Sequence, residues 1–159
     1  CCSWGSSFSA SPCNLRMRPG GRGTVSEHRT IRVVAAVVER DGKYLITQRR
    51  ATAVLPLLWE FPGGKVEIGE TDASALKREV MHRLGVSIEC GKLISFVTHP
   101  YEHYSVDLYL YECHLAPTAI TALEARAVNA FKWVASTEFD QHPFTPADEA
   151  SMNKLLGVN

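Results

Sequence analysis

The residues best equipped for chemistry lie between Gly63 and Val86. Gly63 and Gly64 let a backbone come close to a ligand, and Lys65 adds a cation suited to phosphate. Glu67 and Glu70 follow, then Arg78 and Glu79. Glu79, His82 and Arg83 stand at i, i+3 and i+4, so on a helix they share one face. Carboxylates at such a spacing would hold a hard divalent cation, which wants oxygen ligands. This face instead offers one carboxylate, one imidazole and one guanidinium. The guanidinium cannot shed its charge and would repel a cation, and it is placed to pair with Glu79 as an exposed helix ion pair. The acids Glu67, Glu70, Asp72 and Glu79 are balanced by the bases Lys65, Lys77, Arg78 and Arg83, which leaves the stretch neutral.

The elements that must position these groups are legible from periodicity. Ala73, Leu76, Val80 and Leu84 form an apolar stripe, so Thr71 to Leu84 is predicted as a helix capped by Thr71 and closed by Gly85. Upstream, Ile31 to Glu39 is a continuous β-branched run, as in a strand buried on both faces. Asp41-Gly42 marks a hairpin turn into a return strand over Lys43 to Gln48. Trp59-Glu60-Phe61 is a short strand stopped by Pro62-Gly63-Gly64. Lys92 to His99 and Tyr104 to His114 read as a hairpin, and Ala130 to Ala135 as a last strand. Thr145 then caps a terminal helix with Pro146 at its first position and Asp148 at its third. This order gives an α+β or mixed α/β domain with helices flanking a sheet.

The spacing of Gly64, Glu70, Arg78-Glu79-Val80 and Leu84-Gly85-Val86 resembles the Nudix box. Leu58 to Glu67 resembles the lead-in of MutT-like nucleoside triphosphate pyrophosphohydrolases, and Thr47-Gln48-Arg49-Arg50 and Pro146-Ala147-Asp148 extend the likeness over roughly Ile31 to Leu156. The resemblance implies an α/β/α sandwich with a mixed central sheet. It implies cleavage of a nucleoside triphosphate to monophosphate and pyrophosphate, by water attacking phosphorus with Mg²⁺ or Mn²⁺ bound. Carried over by position, Glu79 is the catalytic carboxylate, and Gly63, Glu79 and His82 are the remaining metal positions. Arg49, Lys65, Arg78 and Asp148 are the substrate-binding positions, with Asp148 reading a base edge. Phe61 or Phe144 is a candidate to stack on the base, although each also suits a core.

Three acidic positions of the resembled pattern are absent. The box has glutamates where this chain has His82 and Arg83, and a further glutamate six residues before Trp133 is replaced by Ala127. Glu124 could substitute only if its loop bends. Imidazole suits Mn²⁺ or Zn²⁺ better than Mg²⁺. The expectation is therefore weak or lost hydrolysis. The alternative is a non-catalytic Nudix-fold module that binds a nucleotide or a protein partner, with no cofactor.

Composition bounds the rest. The chain has 159 residues, 45% of them hydrophobic, and equal numbers of acidic and basic residues, 17 each. That is room for one domain, expected over residues 30–159, behind a Ser/Gly/Arg-rich flexible lead over 1–29, in which the part before Met17 is expected to be upstream or non-native sequence. Charge neutrality argues against binding nucleic acid through bulk positive charge, and no apolar run is long enough to span a membrane. Cys1, Cys2, Cys13, Cys90 and Cys113 show no zinc or disulfide spacing, which suggests a reduced, cytoplasmic setting. Partners implied are a nucleotide or nucleoside diphosphate derivative, and a second copy in a homodimer.

Overall fold

The computed structural model describes residues 29–156. The expected lead over 1–29 lies outside them, except that Arg29 already belongs to the first strand. Strands β1 (Arg29–Val37), β2 (Glu39–Arg40), β3 (Lys43–Gln48), β4 (Trp59–Glu60) and β5 (Gly63–Lys65) precede helix α1 (Asp72–Leu84). Then come β6 (Glu89–Pro100), β7 (Tyr104–His114), a short helix α2 (Pro117–Thr121) and β8 (Ala130–Ala135). A 3₁₀ turn (Ser136–Gln141) leads to the terminal helix α3 (Pro146–Leu156). None of the described helices is long and apolar enough to cross a membrane.

Two sheets form. The mixed one has the order β5-β1-β7-β6, with β1 and β7 parallel and the outer pairs antiparallel. The second is antiparallel, with β3 pairing β2 and β4 and also β8. The expected single central sheet is thus divided at Val38, where β1 gives way to the hairpin and Val38 accepts from the amide of Leu45.

The β-branched run of β1 explains the layers. Val34, Ala36 and Val38 pack with Leu76, Val80 and Leu84 of α1, whereas Ala35 and Val37 pack with Ala147 and Met152 of α3. Successive side chains of a strand point to opposite faces, so one strand serves both helix layers. Asp41 and Gly42 both take positive φ, 53° and 77°, the geometry that a tight hairpin turn needs.

The helix α1 begins and ends where its sequence dictates. The Thr71 hydroxyl accepts from the Ser74 amide, and Gly85 closes it at φ 75° with its amide donating to Met81. Its buried stripe departs from expectation in one place. Ala73 is exposed and Ala75 is buried. This rolls the helix so that Glu79, one turn beyond Ala75, is also buried.

The strand before Pro62 stops as expected, but Gly63 and Gly64 at once begin another, β5. Gly63 pairs with Ala35 and Gly64 with Val34. A Cβ on Gly63 would lie 2.0 Å from the Val34 carbonyl oxygen, and one on Gly64 would lie 2.3 Å from the Glu79 carboxyl carbon. These glycines serve close packing, and neither is among the positive-φ positions. Gly63→Ala is expected to destabilise the domain by about 3 kcal/mol, since only backbone movement relieves the clash. Urea denaturation of that variant measures the cost, with Gly42→Ala, whose Cβ meets open space but whose φ of 77° strains any side chain, showing what backbone strain alone takes.

Candidate functional site

The buried face of α1 brings Glu79 under strand β5, and the sheet pairing brings other groups to it. Glu79 is 8% exposed. Its Oε1 accepts from Arg83 Nε at 2.9 Å, and its Oε2 accepts from Arg78 Nη1 at 2.9 Å. Arg83 reaches further and places Nη1 3.3 Å from Glu60 Oε2. Glu60 in turn accepts from Arg49 Nη1 at 3.2 Å. The result is a chain of alternating charge, Arg78–Glu79–Arg83–Glu60–Arg49, that joins α1 to the antiparallel sheet.

Sequence alone suggested an exposed i, i+4 pair between Glu79 and Arg83. The pair forms, but it is half-buried and shared with Glu60, so water screens it less than an exposed one. Removing Arg83 would leave two facing carboxylates in a poorly hydrated place, the costly way to break such a network. Burial pushes the Glu60 carboxyl above its ordinary range, Arg49 and Arg83 oppose that shift, and Glu79 adds to it. Glu60 was not singled out from sequence. The available signal was its place between Trp59 and Phe61, which are both core residues and so turn Glu60 to the other face.

Each sequence-derived position has a definite place. Arg78 donates to Glu70 Oε2 at 2.7 Å, to the Lys65 carbonyl at 2.9 Å and to Glu79, so it braces the loop before α1. Its guanidinium and the Glu67 amide hold Glu70 down at about 2. Lys65 is exposed at the end of β5, and Gly63 is buried within it. His82 is exposed on α1. It meets Arg83, Ala127, Arg49, Arg50 and Thr52 around a cleft of 170 Å³. Glu124 does not enter that cleft; it is exposed and paired with Arg126 at 2.7 Å. The amides of Arg126 and Ala127 both donate to the Arg83 carbonyl, which fixes Ala127 against the end of α1.

Asp148 lies elsewhere, at a cavity of 480 Å³ that it shares with Arg49, Glu60, Tyr101, Tyr104 and Leu55. Its Oδ1 accepts from the Phe61 amide at 3.1 Å and its Oδ2 from the Thr145 hydroxyl at 2.6 Å. Burial, reinforced by the charge of Glu60, pushes its carboxyl up to about 7. Each carboxyl oxygen keeps room for one more hydrogen bond. Tyr101 and Tyr104 stack at 5.2 Å beside it. Phe61 and Phe144 are buried and pack on Phe139, so neither is available to stack on a ligand. Loop 49–58 forms the rim, with Leu55 and Leu57 held at positive φ, 56° and 61°, a backbone conformation unfavourable for leucine. Arg49 Nε anchors it by donating to the Val54 carbonyl at 2.7 Å.

The chain that carries these positions matches known proteins over most of its length. The NUDIX domain family matches residues 33–154, which includes the whole lining of the smaller cleft and all of the larger cavity's except Arg29 and Ile31. The chain belongs to the Nudix family. The CTP pyrophosphohydrolase of Escherichia coli is 38% identical over 128 residues, which is 80% of this chain and 93% of that protein. An 8-oxo-dGTP diphosphatase of Haemophilus influenzae is 28% identical over 82% of this chain and 94% of its own length. The solution structure of the Escherichia coli ORF135 protein superposes with a TM-score of 0.68 at 32% identity, covering 85% of this chain and 94% of that one. The chain is thus a Nudix domain resembling MutT-like nucleotide pyrophosphohydrolases.

Nudix hydrolases generally use divalent metals, so the donor set was tested for one. It does not fit in this arrangement. Both oxygens of Glu79 already accept from guanidinium groups, and a fixed cation, Arg83, lies against them. Among the described residues, no group of three His, Cys, Asp or Glu side chains converges as a metal ion would require. Cys90 and Cys113 are free thiols facing each other across β6 and β7, away from the site.

Asp148 gives this Nudix domain a pH dependence of definite sign. In the unfolded chain its carboxyl loses its proton near 4, and in the folded chain it holds it up to about 7. Within that window the folded state binds more protons, so stability falls as pH rises from about 4 to about 7 and levels off above it. Asp148→Asn is expected to flatten the slope, with a remainder from Glu60, whose shift has the same sign. Urea midpoints across that range check it; an unchanged slope in the variant would contradict the assignment.

Proposed function

We propose that this Nudix domain binds a nucleoside triphosphate and hydrolyses it weakly or not at all. The base enters the cavity beside Asp148, Tyr101 and Tyr104, and the phosphates run past Arg49 towards Arg83. Support for the nucleotide comes from the kinship with a CTP pyrophosphohydrolase and 8-oxo-dGTP diphosphatases. The cavity itself agrees, with the Tyr101 and Tyr104 rings and the carboxyls of Asp148 and Glu60 in its lining. A carboxyl near 7 exists in both protonation states at neutral pH, so it is able to accept from a base amino group or to donate to a base carbonyl.

The observation that carries the loss of hydrolysis is the double capture of Glu79 by Arg78 and Arg83. A carboxylate with both oxygens engaged by guanidinium groups is a poor base and a poor cation ligand. Its partners in the resembled pattern have become His82, Arg83 and Ala127, which supply no oxygen to replace it.

The test is pyrophosphate release from CTP, dCTP and 8-oxo-dGTP in Mg²⁺ or Mn²⁺. The natural chain is compared with a variant carrying His82→Glu, Arg83→Glu and Ala127→Glu. The variant is expected to turn over roughly a hundredfold faster, and natural turnover within about tenfold of it would contradict the reading. The variant should also melt at a lower temperature without metal, because its carboxylates repel, and regain stability with Mn²⁺.

A further inference from the structure

We propose that Arg83, with Arg49 and Arg50, holds the phosphate chain of the nucleotide directly, so that a guanidinium stands in for the divalent ion and binding needs no metal. This rests on the nucleotide reading above and goes further, in assigning the anion site and its chemistry.

The 170 Å³ cleft has the volume of roughly five or six water molecules, enough for one or two phosphate groups. Its lining includes Arg49, Arg50, Arg83 and His82, and no carboxylate. Glu60 and Glu79 stand behind the guanidiniums and not in the lining. Arg49 lines both this cleft and the cavity containing Asp148, so the two spaces adjoin at its guanidinium and one ligand passing that side chain would reach both. That is the layout a base with a polyphosphate tail requires.

All three arginines are already anchored. Arg83 donates through Nε and Nη1 to Glu79 and Glu60. Arg49 donates through Nε and Nη1 to the Val54 carbonyl and Glu60. Arg50 donates through Nη2 to the Arg126 carbonyl at 2.7 Å. On Arg49 and Arg83 the second terminal nitrogen, Nη2, has no partner among the described residues. The guanidiniums are therefore fixed in position with donors to spare. Little side-chain entropy is lost when an anion arrives, and guanidinium geometry suits phosphate oxygens. Charge works in the same direction, since burial drives Glu60 towards its neutral form and leaves the cluster more positive. A divalent cation entering here would meet this positive charge, whereas a polyphosphate would neutralise it.

The experiment is calorimetric titration of the full chain with inorganic tripolyphosphate and with CTP, in EDTA and in Mg²⁺. Tripolyphosphate is expected to bind in EDTA at least as tightly as in Mg²⁺, which competes by chelating it. Arg50→Gln and Arg83→Gln are each expected to weaken binding in EDTA about tenfold, the size of one charge-assisted hydrogen bond. Arg50 is exposed, so its variant keeps the fold and decides the matter if Arg83→Gln unfolds. Binding that requires Mg²⁺, or an Arg50→Gln affinity equal to that of the natural chain, overturns the proposal. CTP bound only in Mg²⁺ overturns the metal-free site while the nucleotide reading stands. Tripolyphosphate bound in EDTA with CTP no tighter keeps the anion site and overturns the nucleotide reading.

Discussion

Arg83 is the point at which the domain's two halves and its chemistry meet. It sits on α1, which packs against the mixed sheet, and it bonds to Glu60 on β4 of the antiparallel sheet. Glu79 and Glu60 face each other across it. Without a cation between them, two half-buried carboxylates would repel at close range. A positive group standing there relieves that repulsion, and in this chain it is covalently attached. Arg83 stands where the resembled pattern has a glutamate, so the group that steadies this network is the one proposed to replace an exchangeable ion.

This trade explains several features together. Gly64 has to be glycine because Glu79 presses beneath it, so the local backbone and the ion network are packed as one unit. Arg78 holds Glu70 and the Lys65 carbonyl, which ties the loop before α1 to the other end of Glu79. The binding cavity inherits the same network through Glu60 and Arg49, which is how the charge at α1 is felt at Asp148. The proposed separation of binding from turnover rests on this geometry, a cavity beside Asp148 next to a cation position taken by Arg83.

Local elements were readable because their signals are local. Thr71, Gly85 and the Leu76-Val80-Leu84 stripe place α1 to the residue, and the β-branched run places β1. The pairing of Arg83 with Glu79 was readable for the same reason, being one helical turn. What was hidden depends on distant contacts. The strand at Gly63–Lys65 looked like a turn because its glycines answer to Val34 and Glu79, which sequence does not place beside them. Glu60 meets Arg49 and Arg83 across 11 and 23 residues, through a sheet pairing that no periodicity encodes. The burial of Glu79 followed from Ala75 and not Ala73 facing inward, a choice made by packing. Short α2 and the 3₁₀ turn carry too few residues to show a period.

The most direct measurement is Mn²⁺ binding to the nucleotide-free natural chain, followed through the water-proton relaxation enhancement that bound Mn²⁺ produces. With Arg83 seated between Glu79 and Glu60, titration should give no specific site in the sub-millimolar range, and Arg83→Glu should create one. A sub-millimolar Mn²⁺ site in the natural chain that disappears in Glu79→Gln would contradict the account, because it would show that Glu79 is free to take a metal with Arg83 in place.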